Sequence, residues 1–530
     1  MAKSKHDKEE DVTEIKLSSI ISLVSSEWFI ISALFIFSLA IHIMFKATGL
    51  FHFDSVFDTI MVERSIASWT LNYSYGWGAP GMIIIVGFFY LIDHLLTGAM
   101  SAERAYFIVT FLSAALSSVV MYLLVKKFSN KFVAVSSSLL FSVSALWLTS
   151  TTYPKTHSLG ILFSLLSGLL LLSAAEKKSV KMMIWAGISA GIAMSIRPID
   201  GGFIMIPLLM IYLHPKIKGG QIVLDKEKMN LKNMAALAIP AFLVLLALFI
   251  PRIMSAGGVG AVLAQLGGET RGGWMGFYSA QLPQSLGFMT TTVTYFGWAA
   301  VAIGILYLIK KREAYLLSSI SVWFLIFFLY IGNLAVVDSR FLIPAIPPLC
   351  ILMAFGADFI YEKHSIAGIL VVILLAILMF SVGYPLIKAR HEYSGQKEFA
   401  EFVEASTQPN SLIMTGDDYV FINRYGHRQN LYFGNQEKTM NIILANLLNG
   451  THVYAVESSF PFMSQYERDT LSKYFLIGYV GDAENEVYQF SALELKRYRE
   501  KLFEIRLNES AVAQAKAAQE MRQKNATVSN

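Results

Sequence analysis

Long apolar runs separated by short polar segments fill the chain from residue 28 to residue 387. Twelve such runs are present, near 28–45, 80–97, 105–125, 132–150, 158–175, 182–196, 200–213, 234–254, 286–309, 314–332, 341–361 and 365–387. A helix needs about 20 apolar residues to cross a bilayer, and most of these runs approach that length. The pattern therefore predicts an α-helical polytopic membrane protein.

The pattern changes after residue 388, where short strand-like runs alternate with helical ones. The strand-like runs are 411–415, 430–433, 452–456, 475–480 and 486–490, and the helical patterns are 396–405, 437–449 and 462–473. This alternation predicts a small α/β domain over residues 389–495. Residues 496–530 are charged and rich in Ala and Gln, without an apolar face, which predicts a solvated helix or a disordered tail.

Composition agrees with a membrane protein. The chain is 55% hydrophobic and 15% charged, and its mean hydropathy is +0.52, whereas roughly a quarter of the residues in a soluble protein are charged. The net charge of +5 resides largely in short loops between apolar runs, so it does not indicate nucleic-acid binding. The single cysteine, Cys350, lies inside an apolar run and excludes a disulfide within the chain.

The basic loops predict the orientation of the chain. Lys and Arg cluster in alternate loops, at 126–131, 177–181, 214–233, 310–312 and 363, and in the N-terminal tail. The positive-inside rule places all of them in the cytoplasm only if one apolar run does not cross the bilayer. The run 80–97 begins Ala79-Pro80-Gly81 and ends Asp93-His94, so we expect it to be an in-plane or re-entrant helix. About 11 transmembrane helices remain.

This topology predicts an integral plasma-membrane protein with a cytoplasmic N-terminus and an extracytoplasmic C-terminal domain. The expected organisation is a cytoplasmic tail (1–26), a transmembrane domain (27–388) with a large first outer loop (46–104), an outer α/β domain (389–495) and a charged tail (496–530). The long and chemically unusual loops all fall on the outer side. No inverted repeat of the kind that many transporters carry is evident.

Three acidic residues follow the first apolar run, among aromatic side chains. Asp54 and Asp58 are four residues apart and would share one face of a helix. A carboxylate beside the membrane can accept a proton from an attacking hydroxyl, as a general base does. The alternative is that these acids only solvate a loop, and Glu63 with Arg64 is typical of an intrahelical or interfacial pair.

Several cations fall on the predicted outer side, against the positive-inside bias. They are Lys155 and His157 in the loop 151–157, which also holds Tyr153, then Arg197 between two short helices, Arg271 in the Gly-rich loop 267–276, and Arg340. A lipid-linked phosphate would compensate such charges, because Arg and Lys are its usual partners. The alternative is local pairing, of Arg340 with Asp338, Arg271 with Glu269 and Arg197 with Asp200.

Short motifs in the same order resemble those of the GT-C glycosyltransferases, a group that includes protein O-mannosyltransferases and the aminoarabinose transferases of lipid A. The motifs are Asp54-Ser55 in the first outer loop, the helix that begins at Pro80-Gly-Met, the inner turn Tyr122-Leu-Leu-Val-Lys-Lys-Phe128, the Gly-rich helix from Gly187-Ile-Ser-Ala-Gly191 to Arg197-Pro, and Arg340-Phe-Leu-Ile-Pro-Ala-Ile-Pro-Pro348. The similarity in layout covers residues 28–390, and an outer C-terminal α/β domain also recurs in relatives.

The resemblance implies an inverting hexosyl- or pentosyltransferase that acts in the cell envelope. The donor would be a polyprenyl-phosphate sugar, held in a lipid environment, and the acceptor a protein, lipid or glycan. The resemblance implies Asp54 as general base and Arg340, with Arg197, on the donor phosphate. The loop positions add Asp58 as a second acid, Lys155 on the donor phosphate, and Tyr153, His157, Glu63, Arg271 and Asp338 as further substrate contacts. Ser55 stands where the family often has an acid, so we predict chemistry without a metal or another cofactor.

Two other functions fit parts of the pattern. A secondary transporter or lipid-linked-sugar flippase agrees with twelve apolar runs and buried charges. It disagrees with the absence of a repeat, the one-sided long loops and the added outer domain. A non-catalytic GT-C relative, acting as a membrane scaffold, agrees with Ser55 and with the unusual loop 151–157.

Overall fold

The computed structural model describes most of the chain. The described residues are 26–73, 79–98, 101–213, 216–218, 221–223, 230–255, 257–258, 260, 282–331, 339–416, 419–433, 436–489, 494–510 and 513. They form two compact units. The transmembrane unit contains residues 26–46 and 58–389, and the C-terminal unit contains residues 47–57, 390–489 and those from 494 onward.

Helices make up nearly all of the transmembrane unit. They are α1 (Glu27–Met44), α2 (Phe53–Ser68), α3 (Pro80–Thr97), α4 (Ala102–Val125), α5 (Lys131–Val143), α6 (Ala145–Thr151), α7 (Thr156–Lys177), α8 (Val180–Ile196), α9 (Pro198–Tyr212), α10 (Leu231–Ser255), α11 (Leu282–Lys310), α12 (Ala314–Ile331), α13 (Ile346–Tyr361) and α14 (Ser365–Glu392). A 3₁₀ helix, Ser339–Ala345, precedes α13. A two-stranded antiparallel ribbon, β1 (Lys216–Lys218) with β2 (Gln221–Val223), lies between α9 and α10.

Eight helices among the described residues are long and apolar enough to cross a membrane, or nine if the bent pair α5 and α6 is one span. Three shorter apolar helices, at 180–196, 200–212 and 314–329, accompany them. The predicted class, an α-helical polytopic membrane protein, is thereby confirmed. The count of about 11 crossings stays a prediction. The in-plane placement of 80–97 also stays one, because α3 has the length and composition of a span.

Glycines bring two pairs of helices into close backbone contact. A Cβ at Gly304 of α11 would clash with the carbonyl oxygen of Leu352 on α13, and one at Gly356 would clash with that of Ala300. The glycines of α8 do the same against α10, where a Cβ at Gly191 would lie 2.6 Å from the Ala241 oxygen. Small residues permit this approach, which provides the van der Waals contact that holds helices together in lipid.

Gly356→Leu is expected to lower the stability of the transmembrane unit by about 1–3 kcal/mol, because its side chain would displace the backbone of α11. Gly287→Ala on α11 is the matched control, since nothing lies within 4 Å of a Cβ at that position. Thermal unfolding in detergent measures both variants. Equal thermal midpoints for the two variants would contradict the close backbone contact between α11 and α13.

The C-terminal unit is built on a five-stranded sheet. Its strands are β3 (Leu412–Thr415), β4 (Gln429–Tyr432), β5 (Val453–Val456), β6 (Phe475–Gln489) and β7 (Glu494–Leu507), in the order β4-β3-β5-β7-β6. β3 is parallel to β4 and β5, whereas β7 runs antiparallel to β5 and β6. The helices are α15 (Gly395–Ser406), α16 (Tyr419–Tyr425), α17 (Gln436–Leu448) and α18 (Gln465–Tyr474).

The sheet buries apolar side chains on both faces. Phe399 and Ile413 belong to one buried cluster, and Met414 and Ile443 belong to the other. The predicted C-terminal α/β domain is thus confirmed, with three helices and three strands close to their expected positions.

Two predictions about this domain are wrong. The strand-like run 475–480 and residues 486–489 of the next run are parts of a single strand, β6, and residue 490 lies outside the described residues. Residues 496–507 form β7 rather than a helical or disordered tail, so the domain extends beyond residue 495. The reason is the composition of β7, in which charged side chains are numerous while Leu502 and Ile505 are buried. Pairing with β5 and β6 stabilises this strand, and such pairing leaves no strong local signal in the sequence.

Candidate active site

Buried polar residues surround the start of α7. Lys155 is the residue immediately before the helix, in an extended conformation, and is buried. His157 lies in the first turn and is 1% exposed, and Tyr153 in the preceding loop is buried as well. Three of the residues that the sequence analysis selected on the loop 151–157 therefore lie inside the transmembrane unit.

Arg197 occupies the break between α8 and α9. Its backbone is extended, with φ −142° and ψ 90°, and Pro198 then begins α9. The guanidinium forms an ion pair with buried Asp200 and donates a hydrogen bond to Thr156 Oγ1 at 3.4 Å. Gly160 on α7 gives the side chain room, because a Cβ there would lie 3.3 Å from Arg197 Cδ. The pairing of Arg197 with Asp200, one of the predicted alternatives, is present.

Arg340 lies in the 3₁₀ helix and is 7% exposed. The charges of Arg197, Arg340 and Lys155 all act electrostatically on the His157 ring, so residues from three separate elements lie within electrostatic range of this side chain. We call Lys155, His157, Arg197 and Arg340 the cation group. Arg271 and Asp338 lie outside the described residues.

Both ring nitrogens of His157 are buried within the cation group. Neither ring nitrogen has a hydrogen-bond partner among the described residues, although the ring is buried. A buried polar group without a partner costs about 1–3 kcal/mol, so such groups are normally satisfied. An anionic oxygen placed here would accept a hydrogen bond from the ring and would interact with the surrounding positive charge.

Asp54 lies in the first turn of α2, in the part of that helix that belongs to the C-terminal unit. His52 caps the helix: its carbonyl oxygen accepts from the Ser55 and Val56 amides, and its Nδ1 accepts from the Asp54 amide at 3.1 Å. The Asp54 carboxylate is 3.3 Å from the same nitrogen, and its side chain is 37% exposed. The carboxylate thus lies beside the His52 ring and is accessible to solvent.

Asp58 is on the same helix, as the spacing predicted, but its surroundings differ. It belongs to the transmembrane unit, is 3% exposed and accepts a hydrogen bond from the Tyr106 hydroxyl at 2.9 Å. Ser55 is buried, and Glu63 is partly buried. Of the two aspartates, Asp54 is the accessible one.

Sequence reasoning missed His52 and Tyr106. Histidine is not among the residue types that usually cap a helix, so no local signal identified His52 as a cap. Tyr106 lies 48 residues beyond Asp58 in the sequence, and only the packing of the helices brings the two together.

The residues that the structure describes contain no group of three or more His, Cys, Asp or Glu side chains placed to hold a metal ion. Metal-independent chemistry stays a prediction.

The fold and parts of the sequence are similar to those of known proteins. A family model for dolichyl-phosphate-mannose-protein mannosyltransferases matches residues 84–254. A sequence search of curated proteins finds no match.

Three solved structures show the same fold. ArnT from Cupriavidus metallidurans, in the apo state, aligns with a TM-score of 0.57 at 12% identity, over 93% of this chain and 98% of its own. The oligosaccharyltransferase of Archaeoglobus fulgidus, tethered to an acceptor peptide, aligns with a TM-score of 0.51 at 13% identity, over 90% of this chain and 74% of its own. The same enzyme with an inhibitory peptide and a dolichol-phosphate gives 0.53 at 11% identity, with the same coverage.

The chain has the fold of the GT-C membrane glycosyltransferases, and the resemblance found in the sequence motifs is thereby confirmed. The family match and the shared fold together support a membrane glycosyltransferase as the general class of this protein.

Proposed function

We propose that this protein transfers a sugar from a polyprenyl-phosphate donor to an acceptor on the extracytoplasmic face of the membrane. The observation that carries the proposal is the cation group, which combines three positive charges with a buried His157 ring that has no hydrogen-bond partner among the described residues. The dolichol-phosphate bound to the archaeal oligosaccharyltransferase and the description of the matching family model support a lipid-phosphate donor.

In this proposal the cation group binds the donor phosphate and stabilises it as the leaving group. Arg340 and Lys155 contribute charge, and Arg197 does so while Asp200 holds its guanidinium in place. His157 donates one hydrogen bond to a phosphate oxygen. Electrostatic stabilisation of the charge that develops in the transition state is usually the largest catalytic contribution.

Asp54 is the proposed general base. Its carboxylate accepts the proton of an acceptor hydroxyl, the hydroxyl oxygen forms a bond to the anomeric carbon, and the bond between that carbon and the phosphate oxygen breaks. The lipid phosphate leaves with the electron pair, and the configuration at the anomeric carbon is inverted. The exposure of Asp54 supports this role, because a general base must come within hydrogen-bond distance of its substrate.

A protein is the favoured acceptor. The support is the acceptor peptide tethered to the archaeal oligosaccharyltransferase and the protein mannosyltransferases that define the matching family model. A lipid or glycan acceptor would be recognised by a labelled product that resists protease.

The outward orientation of residues 389–507 belongs to the same proposal. Protease added to intact cells tests this orientation.

Transfer in proteoliposomes tests the donor. The full-length protein is given one labelled sugar on a polyprenyl monophosphate, on a polyprenyl diphosphate or on a nucleotide, together with a membrane-protein extract as acceptor. We expect a labelled glycoconjugate only from the monophosphate, with equal yield after chelator treatment. Uptake of label into the vesicles without a glycoconjugate would instead identify a transporter or flippase. A loss of turnover with a chelator, restored by one metal, would refute metal-independent chemistry.

A further inference from the structure

Residues 47–57, at the beginning of the first outer loop, belong to the C-terminal unit although more than 300 residues separate the two in sequence. This segment contains Asp54. Contacts on both sides of Asp54 attach this segment to the rest of the C-terminal unit.

The first contact is made at the start of the segment. The amide and the Oγ1 of Thr48 both donate to the carbonyl oxygen of Arg390, at 3.0 and 3.1 Å. The next residue, Gly49, passes so close to Ser394 that a Cβ would lie 2.9 Å from the serine Oγ. The chain is therefore held against the N-terminus of α15.

The second contact is made by Leu50 and Phe51, between Thr48 and Asp54. The Leu50 amide donates to the Tyr425 hydroxyl at 3.3 Å, and the Leu50 side chain is fully buried. Phe51, at a φ of 47°, places its ring 5.6 Å from the guanidinium carbon of Arg390, which is itself 1% exposed. An L-residue rarely adopts such a backbone conformation unless its surroundings enforce it.

The third contact follows Asp54. The rings of Phe57 and Tyr419 meet edge to face at 5.9 Å. Tyr419 and Tyr425 are the first and last residues of the short helix α16. One helix of the C-terminal domain thus contacts the segment both before and after Asp54.

We propose that α16, through Tyr425, is a positioning element for Asp54, so that the C-terminal domain sets the geometry of the proposed general base. This inference rests on the proposed function of Asp54. Residues 48–51 lead directly to His52, which caps α2 and contacts the Asp54 carboxylate. A shift of about 1 Å in a reacting group can reduce the rate by about 100-fold, so a modest change in this segment is measurable in turnover.

Tyr425→Phe removes the hydroxyl that accepts from the Leu50 amide and retains the ring. We expect kcat for transfer to fall about tenfold and the thermal midpoint to fall modestly, because the buried Leu50 amide loses its acceptor, while the Kd for the lipid-phosphate donor stays unchanged. Hydrogen exchange should become faster in residues 48–54 and stay the same in the sheet. A residue with a purely structural role would not lower kcat while leaving donor binding and hydrogen exchange in the sheet unchanged.

Thr48→Val is a milder second variant, which removes the side-chain hydrogen bond and keeps the backbone one. We expect a fall in kcat of about twofold. Tyr466→Phe is the matched control, because this tyrosine of α18 is 49% exposed, and we expect wild-type turnover. If Tyr425→Phe fails to fold, Tyr419→Leu replaces it, since this variant removes the α16 ring that meets Phe57. Unchanged kcat and unchanged exchange in that variant overturn the proposal.

The outcomes separate the two proposals. If Asp54→Asn retains transfer, the function proposed for Asp54 is wrong. If Asp54→Asn loses transfer while Tyr425→Phe and Thr48→Val match the wild type, only the positioning role is wrong.

Discussion

Asp54→Asn should reduce sugar transfer by about 10³-fold, within the range of about 10²–10⁴ that general bases contribute. The amide has the size of the carboxylate but cannot accept the acceptor proton at neutral pH. Its backbone amide still donates to His52, so the start of α2 is expected to stay intact. Donor binding should be unaffected, because the proposed donor ligands are Lys155, His157, Arg197 and Arg340.

The measurement is single-turnover transfer from the labelled lipid-phosphate donor in proteoliposomes. Asp469→Asn is the matched control, since this aspartate of α18 is exposed and lies in the same unit, and it should behave like the wild type. Asp58→Asn is informative too. Its carboxylate is buried and accepts a hydrogen bond from Tyr106. We therefore expect a smaller loss of rate than in Asp54→Asn, together with reduced stability of the protein. Retained turnover in Asp54→Asn would eliminate the base assignment.

Arg340→Gln is expected to lower kcat/KM by about 100-fold, through both weaker donor binding and a less stabilised leaving phosphate. Arg340→Lys should recover part of the loss, because lysine retains the charge but not the planar fork that binds two phosphate oxygens. The order wild type, Lys, Gln is a specific expectation for a phosphate ligand.

Arg312→Gln serves as the control, because this arginine lies in an exposed turn between α11 and α12. Donor affinity is measured by competition with an unlabelled polyprenyl phosphate. Equal donor affinity in the wild type and in Arg340→Gln would show that Arg340 does not bind phosphate. A loss of protein from the membrane in both Arg340 variants would instead indicate a structural role.

Sequence and structure contribute differently to the cation group. The residue types and their violation of the positive-inside bias are visible in the sequence, so all four members could be selected from it. Their assembly could not, because Lys155 and His157 are at the start of α7, Arg197 is between α8 and α9, and Arg340 is in a 3₁₀ helix. The electrostatic action of the three cations on His157 depends on how those helices pack.

For Asp54, too, the residue was selected from the sequence, whereas its surroundings depend on the tertiary structure. Its position after the first apolar run, four residues before Asp58, was sufficient to select it. The difference in burial between the two aspartates and the attachment of residues 47–57 to the C-terminal domain depend on contacts between distant parts of the chain.

The sequence by itself determined the membrane class, most of the helices and most of the C-terminal α/β domain. It could do so because a bilayer acts on each segment separately, and because the helix and strand periods are local properties. Tertiary structure decided that 494–507 is a strand, that the cations converge on His157 and that Asp54 is held by the C-terminal unit. These features arise from many weak contacts between residues far apart in sequence, and no local pattern records their sum.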